Sequence, residues 1–242
     1  MTMGNARKFS TLLAAAGFMI SGASQAALHD RGGGLLYDDV LKVTWLQDAN
    51  YAKTSGYDAD GLMTWSEADA WAKSLSYGGN TGWRLAGNVP VDSGGWKYSL
   101  TYDGHSDYGY NIASPNSELG YMFYANLGLK AYFAPDGTFQ PDFGVFGNGS
   151  TGGQSDVGLV KNLRSSIYWS GTEFAGNPLH FAWSFYTVDG LQEIGAKVNL
   201  YSAWAVHDGD IAAVPEPETY ALFLAGLAVM GGALRRRAGK AG

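Results

Sequence analysis

One segment of the chain, residues 63–79, carries apolar residues at helical spacing. The residues on the shared face are Ala68, Trp71, Ala72 and Leu75. Thr64 precedes Glu67 by three positions. This is the spacing of a capping box, in which each side chain accepts a bond from the backbone amide of the other residue. The pattern therefore predicts a helix that Thr64 caps and that ends at Gly78 and Gly79.

A second, weaker helical pattern covers residues 116–128. Asn116 or Ser117 can cap this helix, and Gly128 can end it. The segment is apolar between these positions. It predicts a second helix that packs against the rest of the protein.

Apolar and polar residues alternate elsewhere with the period of two that is typical of strands. The alternating segments are 32–52, 165–174, 180–198 and 201–211. Residues 82–85 fit a short strand or a buried turn. Asp38 and Asp39 mark a turn in the first segment, and Asp189-Gly190 is a strong hairpin signal in the third.

Aromatic residues and glycine dominate the composition. The 242 residues include 8 Trp, 15 Tyr, 11 Phe and 35 Gly, but no Cys. Aromatic area can build a core without leucine-rich helices, and glycine favours turns and strands over long helices. Seven tryptophans fall in predicted elements and are expected in the core: Trp45, Trp65, Trp71, Trp83, Trp169, Trp183 and Trp204. We find no internal repeat and predict one central domain, residues 27–213.

The longest irregular segment, residues 86–111, is rich in Gly and Tyr. A loop of this length is uncommon and is often functional or mobile. Its aromatic residues are Trp96, Tyr98, Tyr102, Tyr108 and Tyr110. Aromatic faces suit the apolar faces of sugars, so the first four rings are candidate ligand-binding residues. The alternative is that the rings only pack the loop onto the domain.

The first 26 residues have the layout of a secretory signal peptide. Arg7 and Lys8 precede an apolar stretch, residues 12–20, and Ala26 ends a small-residue cleavage signal. We predict that signal peptidase cuts between Ala26 and Ala27, which makes the protein an exported one. The alternative is a buried first helix. Because there is no Cys, the exported domain depends on core burial and not on disulfides.

The central region is strongly acidic. Residues 27–213 contain 20 Asp and Glu against 10 Lys and Arg, a net charge of −10, whereas the whole chain carries −6. A surface of this charge repels nucleic acid and anionic lipid. The composition therefore argues against a nucleic-acid partner.

Residues 214–242 form a tail in three parts. The proline motif is Pro215, Glu216 and Pro217, an uncharged stretch covers 220–234, and the basic cluster is Arg235, Arg236 and Arg237. As a helix, these 15 uncharged residues would span about 22 Å, short of a hydrocarbon core of about 30 Å. Basic flanks stay on the cytoplasmic side. The tail is thus predicted to anchor the chain transiently in the inner membrane, with the domain outside.

This order of motif, apolar stretch and basic cluster resembles the PEP-CTERM sorting signal. The resemblance implies recognition by an exosortase, a membrane protease that cuts near the motif and releases or transfers the protein to the cell surface. The alternative is an ordinary C-terminal anchor, which needs no Pro-Glu-Pro motif and is usually longer.

Six segments of the central region together resemble the Lcl-type C-terminal domain. They are residues 44–52, 63–75, 82–85, 168–174, 182–192 and 201–210. The resemblance implies an α+β, C-type-lectin-like fold with two helices packed on small antiparallel sheets, here flanked by the signal helix and the apolar tail helix. It also implies a surface or secreted protein, with adhesive and polysaccharide-binding members. Ala86 and Gly87 replace the family's usual Pro-Thr, so no binding residue is carried over.

Candidate catalytic residues are few. The absence of Cys excludes thiol catalysis, and the four histidines lack the spacing of a zinc pair. Ser170, His180 and Asp189 could be drawn as a triad. However, there is no G-x-S-x-G element to present a nucleophile, and we expect His180 to be a partly buried residue between strands.

Asp58 and Asp60 are candidate calcium ligands, since two carboxylates in a turn before Gly61 suit a hard cation. The later ligands of an EF-hand loop are missing. Residues 102–107 and 207–210 show similar acidic turns. Calcium is therefore the one candidate cofactor, and the alternative is a set of solvated turns.

These features predict a non-enzymatic protein of the cell surface or extracellular matrix that adheres to or binds polysaccharide. An enzyme acting on matrix polysaccharide and a purely structural matrix protein stay open as alternatives. A cleft that brings Asp103, His105 and Asp107 together would favour the enzyme. Exposed rings on the long loop would favour binding.

Overall fold

The structure, a computed structural model, describes residues 28–211. Its strands are β1 Leu28–Gly32, β2 Leu35–Asp38, β3 Val43–Leu46, β4 Arg84–Leu85, β5 Gln154–Val157, β6 Val160–Arg164, β7 Ile167–Glu173, β8 Phe181–Tyr186, β9 Gln192–Ala196 and β10 Ala205–Asp208. The helices are α1 Tyr51–Thr54, α2 Trp65–Ser74 and α3 Glu118–Tyr121, and a π-helix, Met122–Asn126, continues α3. The architecture is mixed, with small antiparallel sheets and few helices. The predicted signal helix and tail helix lie outside the described residues.

The largest sheet has five strands in the order β1-β2-β3-β10-β4, and every neighbouring pair is antiparallel. Strand β10, the last described strand, lies between β3 and β4, with Val206 opposite both Trp45 and Arg84. Strands β7, β8 and β9 form a second antiparallel sheet, and β5 pairs with β6. The two ends of the described chain therefore meet in one sheet.

The turn between β2 and β3 is built on a buried carboxylate. Asp38 is fully buried and accepts bonds of 2.9 Å from the backbone amides of Val40 and Leu41. Its other oxygen accepts a 2.6 Å bond from Asn126 Nδ2. The predicted turn at Asp38 and Asp39 is confirmed. It is tied to the end of the π-helix, which the sequence did not indicate.

Helix α2 begins as predicted. Thr64 and Glu67 form the complete capping box, and Ala68, Trp71 and Ala72 are buried. The predicted end at the glycine pair is wrong, because Leu75 already leaves the helix with an extended backbone (ψ 132°). The helix therefore ends at Ser74, and the glycines belong to the turn that follows.

The second helix begins and ends where predicted, with Leu127 as its C-cap residue and Gly128 following at a positive φ of 62°, but it changes its type. Ser117 caps it through a bond from the backbone amide of Gly120, as expected. After Tyr121 the backbone widens into the π-helix, where the Leu127 amide bonds to the Met122 carbonyl at 3.0 Å. The wider turn lets two consecutive rings, Phe123 and Tyr124, both contact Phe185 of β8. Side-chain packing thus explains the departure from the α-helix.

The hairpin between β8 and β9 confirms the Asp189-Gly190 signal. Asp189 accepts a 3.0 Å bond from the Leu191 amide, and Gly190 adopts a positive φ of 82°. A Cβ at Gly190 would come within 2.4 Å of the Tyr124 hydroxyl oxygen. Glycine is therefore required here both by the turn and by the close approach of the π-helix.

Tryptophan dominates the core. The fully buried indoles are Trp45, Trp71, Trp83, Trp169, Trp183 and Trp204, as predicted. Trp45 and Trp204 lie 4.7 Å apart between ring centroids, and the Trp204 indole nitrogen donates to the Leu46 carbonyl at 2.7 Å. Trp65 is partly buried and packs against this core from its margin. The Lys197 ammonium lies over the Trp65 ring, 3.9 Å from the ring centroid, in a cation–π contact.

Candidate functional site

Trp96 and Tyr98 of the long loop lie against Trp183 of β8. The Trp96 and Trp183 rings stack at 5.1 Å with 24° between their planes. Tyr98 lies nearly parallel to the same indole at 6.1 Å and 21°, and its ring meets Phe174 edge-on at 5.0 Å. We call these four rings the aromatic surface. Trp183 is its buried member, whereas Tyr98 is 44% exposed.

The loop that carries these rings is fixed by a buried carboxylate. Asp107 is 1% exposed and accepts 2.7 Å bonds from the amides of Val91 and Lys97, on either side of Trp96. The Ser106 hydroxyl also donates to the Lys97 carbonyl at 2.9 Å. Gln192 of β9 donates to the Asp107 carbonyl at 2.8 Å. Trp96 and Tyr98 therefore stand on an ordered backbone, which lowers the entropy lost on binding.

Tyr102 belongs to a second group of rings. It stacks on Tyr110 at 6.1 Å with 14° between planes, and it meets Phe133 edge-on at 4.9 Å. Tyr102 is 36% exposed, and Tyr110 beneath it is buried. The structure therefore places Tyr102 apart from the stack on Trp183.

Tyr108 is a half-buried residue beside a carboxylate. Its hydroxyl lies 3.5 Å from Glu193 Oε2, and the Tyr186 hydroxyl bonds to the other oxygen of Glu193. Burial raises the pKa of Tyr108, and the negative charge of Glu193 raises it further. The four predicted ligand-binding residues thus fall in three places, and only Trp96 and Tyr98 share a surface.

The acidic turn at Asp58 and Asp60 bonds to its own backbone. Asp58 Oδ1 accepts the amides of Asp60 at 3.0 Å and Gly61 at 2.6 Å, and Asp60 Oδ1 accepts the Leu62 amide at 2.9 Å. Burial raises the pKa of Asp58, but these bonds lower it more, so the net change is downward. Within residues 28–211, no group of three or more His, Asp or Glu side chains is placed to hold a metal ion. Calcium binding at this turn stays a prediction.

The other acidic turns contain ion pairs. Asp103 pairs with His105 at 3.2 Å on the surface, whereas Asp107 is buried under the long loop. These three residues therefore do not converge in a cleft. In the turn at 207–210, Asp208 pairs with Arg84 at 2.6 Å and Asp210 pairs with Arg31 at 2.8 Å.

The hypothetical triad is not assembled. The buried hydroxyl of Ser170 donates to Asn88, and Asp189 bonds the Leu191 amide in its turn. The expectation that His180 is partly buried is wrong, because it is exposed in the β7–β8 connection. Among the described residues no hydrogen bond joins these three side chains.

Sequence reasoning missed two members of the aromatic surface. The sequence pattern predicts only a core position for Trp183, and it gives no signal for Phe174. Both contact the long loop only because the β7–β8 hairpin folds beneath it. No local pattern in the sequence signals this contact.

The comparison with protein-family models bears on the tail. The model of the PEP-CTERM protein-sorting motif matches residues 213–237. The chain carries a PEP-CTERM sorting motif. The matched range includes the Pro-Glu-Pro motif at 215–217 and the arginines at 235–237, which the sequence predicted. Neither the curated proteins nor the solved structures gave a match to the chain.

The PEP-CTERM motif indicates exosortase-dependent export to the cell surface. Between residues 28 and 211, the structure contains no helix long and apolar enough to cross a membrane. The predicted cleavage site at Ala26 and Ala27 and the predicted tail helix both lie outside the described residues.

Proposed function

We propose that this exported protein is a non-enzymatic, surface or matrix protein that binds polysaccharide through the aromatic surface. The observation that carries the proposal is the stack of Trp96 and Tyr98 on Trp183, with Tyr98 44% exposed. Sugar rings have apolar faces that pack on aromatic rings, and their hydroxyls remain free to bond polar neighbours.

The charge of the region supports a neutral polymer as the ligand. Residues 27–213 carry a net charge of −10, so an anionic polysaccharide would be repelled. Lys97, which lies between Trp96 and Tyr98, is already paired with Asp92. The positive charge at the sequence position between the two rings is therefore neutralised by this ion pair.

Three finer parts belong to the same proposal. The central region adopts a C-type-lectin-like fold, as the resemblance to Lcl-type domains implies. The PEP-CTERM tail holds the chain transiently in the inner membrane before exosortase acts. Calcium at Asp58 and Asp60 supports binding by ordering the turn that carries them.

The test is a polysaccharide and glycan array probed with the purified full-length protein, in calcium and in chelator. We expect Trp96→Ala and Tyr98→Ala to weaken binding at least about tenfold, because buried aromatic anchors carry much of the energy of such contacts. Tyr57→Ala is the matched control, since Tyr57 is 57% exposed and lies outside the aromatic surface.

Binding that survives both ring substitutions would remove the aromatic surface from the proposal. No binding to any polysaccharide in either buffer would overturn the proposed function itself. Loss of binding in chelator and in Asp58→Ala would support the calcium part, and equal binding in both buffers would refute it.

A further inference from the structure

A glycine-rich segment, residues 147–150, precedes β5 and places an asparagine at the surface. Its sequence is Gly-Asn-Gly-Ser, and Asn148 is exposed. Asn148 is the one asparagine of the chain that a glycine follows. The side-chain amide of an asparagine can react with the backbone nitrogen of the next residue. Glycine obstructs this attack least, because it has no side chain and the widest choice of backbone angles.

The side chain of Asn148 is folded over the backbone that follows it. Its Oδ1 accepts the Ser150 amide at 2.9 Å. This bond closes an Asx turn, which holds the carboxamide beside the Gly149 peptide group. When Cγ of Asn148 is attacked, negative charge develops on Oδ1, and the Ser150 N–H stabilises that charge. The Nδ2 atom makes no hydrogen bond within residues 28–211, so it is free to leave.

The attacking atom is the Gly149 nitrogen. Among the described residues, no hydrogen bond holds the Gly149 N–H. Gly149 has a positive φ of 69°, and a Cβ here would come within 2.4 Å of the Phe143 ring. The fold therefore requires glycine at the position after Asn148. The reactive Asn-Gly pair is thus built into the structure.

Asn199 provides a comparison within the same molecule. It is the other exposed asparagine of residues 28–211. However, Leu200 follows it, and its Nδ2 donates to the Tyr201 hydroxyl at 2.8 Å. Exposure is therefore shared by the two asparagines, whereas the glycine and the free Nδ2 belong to Asn148 alone.

We propose that Asn148 is a site of spontaneous deamidation in the folded protein. The Gly149 nitrogen gives up its proton to the solvent and bonds to Cγ of Asn148, and Nδ2 leaves as ammonia. The product is a five-membered succinimide ring. Water then opens the ring at either of its two carbonyls, which leaves aspartate or isoaspartate at position 148. The only co-reactant is water, and the inference is independent of the proposed function.

Either product changes this part of the protein. Both add a negative charge to a region, residues 27–213, that already carries −10. Isoaspartate also lengthens the main chain by one atom just before Ser150. The Ser150 carbonyl accepts the hydroxyl of Ser165, which is buried directly after β6. The isoaspartate form should therefore loosen the link between this segment and β6.

The test is incubation of the purified full-length protein in mildly acidic and mildly alkaline buffer, followed by peptide mapping with mass spectrometry. We expect the peptide with Asn148 to gain the mass difference between an amide and an acid and to separate into two products. The conversion should be several-fold faster in the alkaline buffer, because the attacking nitrogen must lose its proton. Asn199 should stay unmodified. Asn148→Gln, which keeps an exposed amide but can close only a larger ring, should also stay unmodified.

A synthetic peptide of residues 144–152, incubated alongside, shows that the reaction proceeds in the chosen buffers. Near-ultraviolet circular dichroism follows the folded state during the incubation. No change at Asn148 in the folded protein while the peptide converts would overturn the proposal. Equal conversion at Asn199, or conversion only after the circular dichroism signal is lost, would overturn it as well.

Discussion

At the scale of the residue, the buried polar side chains of this protein act mainly on the backbone. Asp38 and Asp107 are buried carboxylates that each accept two backbone amides. Asp38 also joins its turn to the distant Asn126, whereas Asp107 joins positions within one long loop. Asn88 differs from them, because one of its two polar atoms has no partner among the described residues. Asn126 Oδ1, beside Asp38, is likewise without a partner among residues 28–211, so this property alone does not mark a ligand-binding side chain.

Replacing Asp38 with Ala should destabilise the protein by about 3 kcal/mol. The change leaves the amides of Val40 and Leu41 and the Asn126 side chain without their charged acceptor. Urea unfolding followed by tryptophan fluorescence measures the loss. Asp136→Ala is the control, since Asp136 makes similar bonds to Thr138 on an exposed turn and should change the midpoint little. Equal losses for the two variants would contradict this account of Asp38.

At the scale of the element, the turn between β8 and β9 contains a carboxylate that links the stability of the protein to pH. The β8–β9 turn holds Asp189 in a mostly buried position. Burial raises its pKa, the Leu191 amide lowers it, and Glu193 raises it again, with a net upward shift. The native protein therefore binds a proton at Asp189 more tightly than the unfolded chain does. Between the ordinary pKa of 3.8 and the raised one, stability falls as the pH rises.

Replacing Asp189 with Asn should therefore stabilise the protein at pH 7, and this gain should disappear as the pH falls below about 4. The Asn side chain can still accept the Leu191 amide, so the turn is kept. Urea midpoints at a series of pH values measure the effect. Asp142→Asn should show the opposite sign, because the bond from Lys130 lowers the pKa of Asp142. A gain from Asp189→Asn that does not depend on pH would count against burial as its cause.

At the scale of the whole molecule, an acidic, aromatic-rich region is joined to a sorting motif. The PEP-CTERM match covers residues 213–237 and begins two positions after Ile211, the last described residue. The strands that precede it close a sheet with the first strands of the described chain. The sorting motif thus follows a completed sheet and is separate in sequence from the aromatic surface.

Replacing Pro215, Glu216 and Pro217 together with Ala should prevent release or transfer to the surface. The variant should accumulate in the membrane fraction of cells that express a cognate exosortase, because the motif is the part that the enzyme is expected to recognise. Fractionation and blotting measure the distribution. Glu218→Ala, next to the motif, is the control and should behave as the unmodified chain does. Unchanged release of the triple variant would argue against recognition of this motif.

Local signals in the sequence predicted the local parts of the fold well. The Thr64–Glu67 capping box, the Ser117 cap and the Asp189-Gly190 hairpin each depend on residues a few positions apart. The π-helix was not predictable, because it follows from the packing of Phe123 and Tyr124 on a distant strand. The aromatic surface, likewise, could be predicted from the sequence only in part. Trp96 and Tyr98 could be recognised in the sequence as part of one loop, whereas their contacts with Trp183 form only after folding.

The inner position of β10, between β3 and β4, has a mechanical consequence. This strand carries ladder bonds to β3 on one side and to β4 on the other, and the chain leaves the sheet just after it, at Asp208. A pull on the chain beyond Ile211 is therefore applied to an inner strand. To yield, that strand must shear away from two neighbours at once, while an edge strand would peel from only one. In a protein attached through its C-terminal end, tension would thus act on a strand that is hydrogen-bonded to a neighbour on each side.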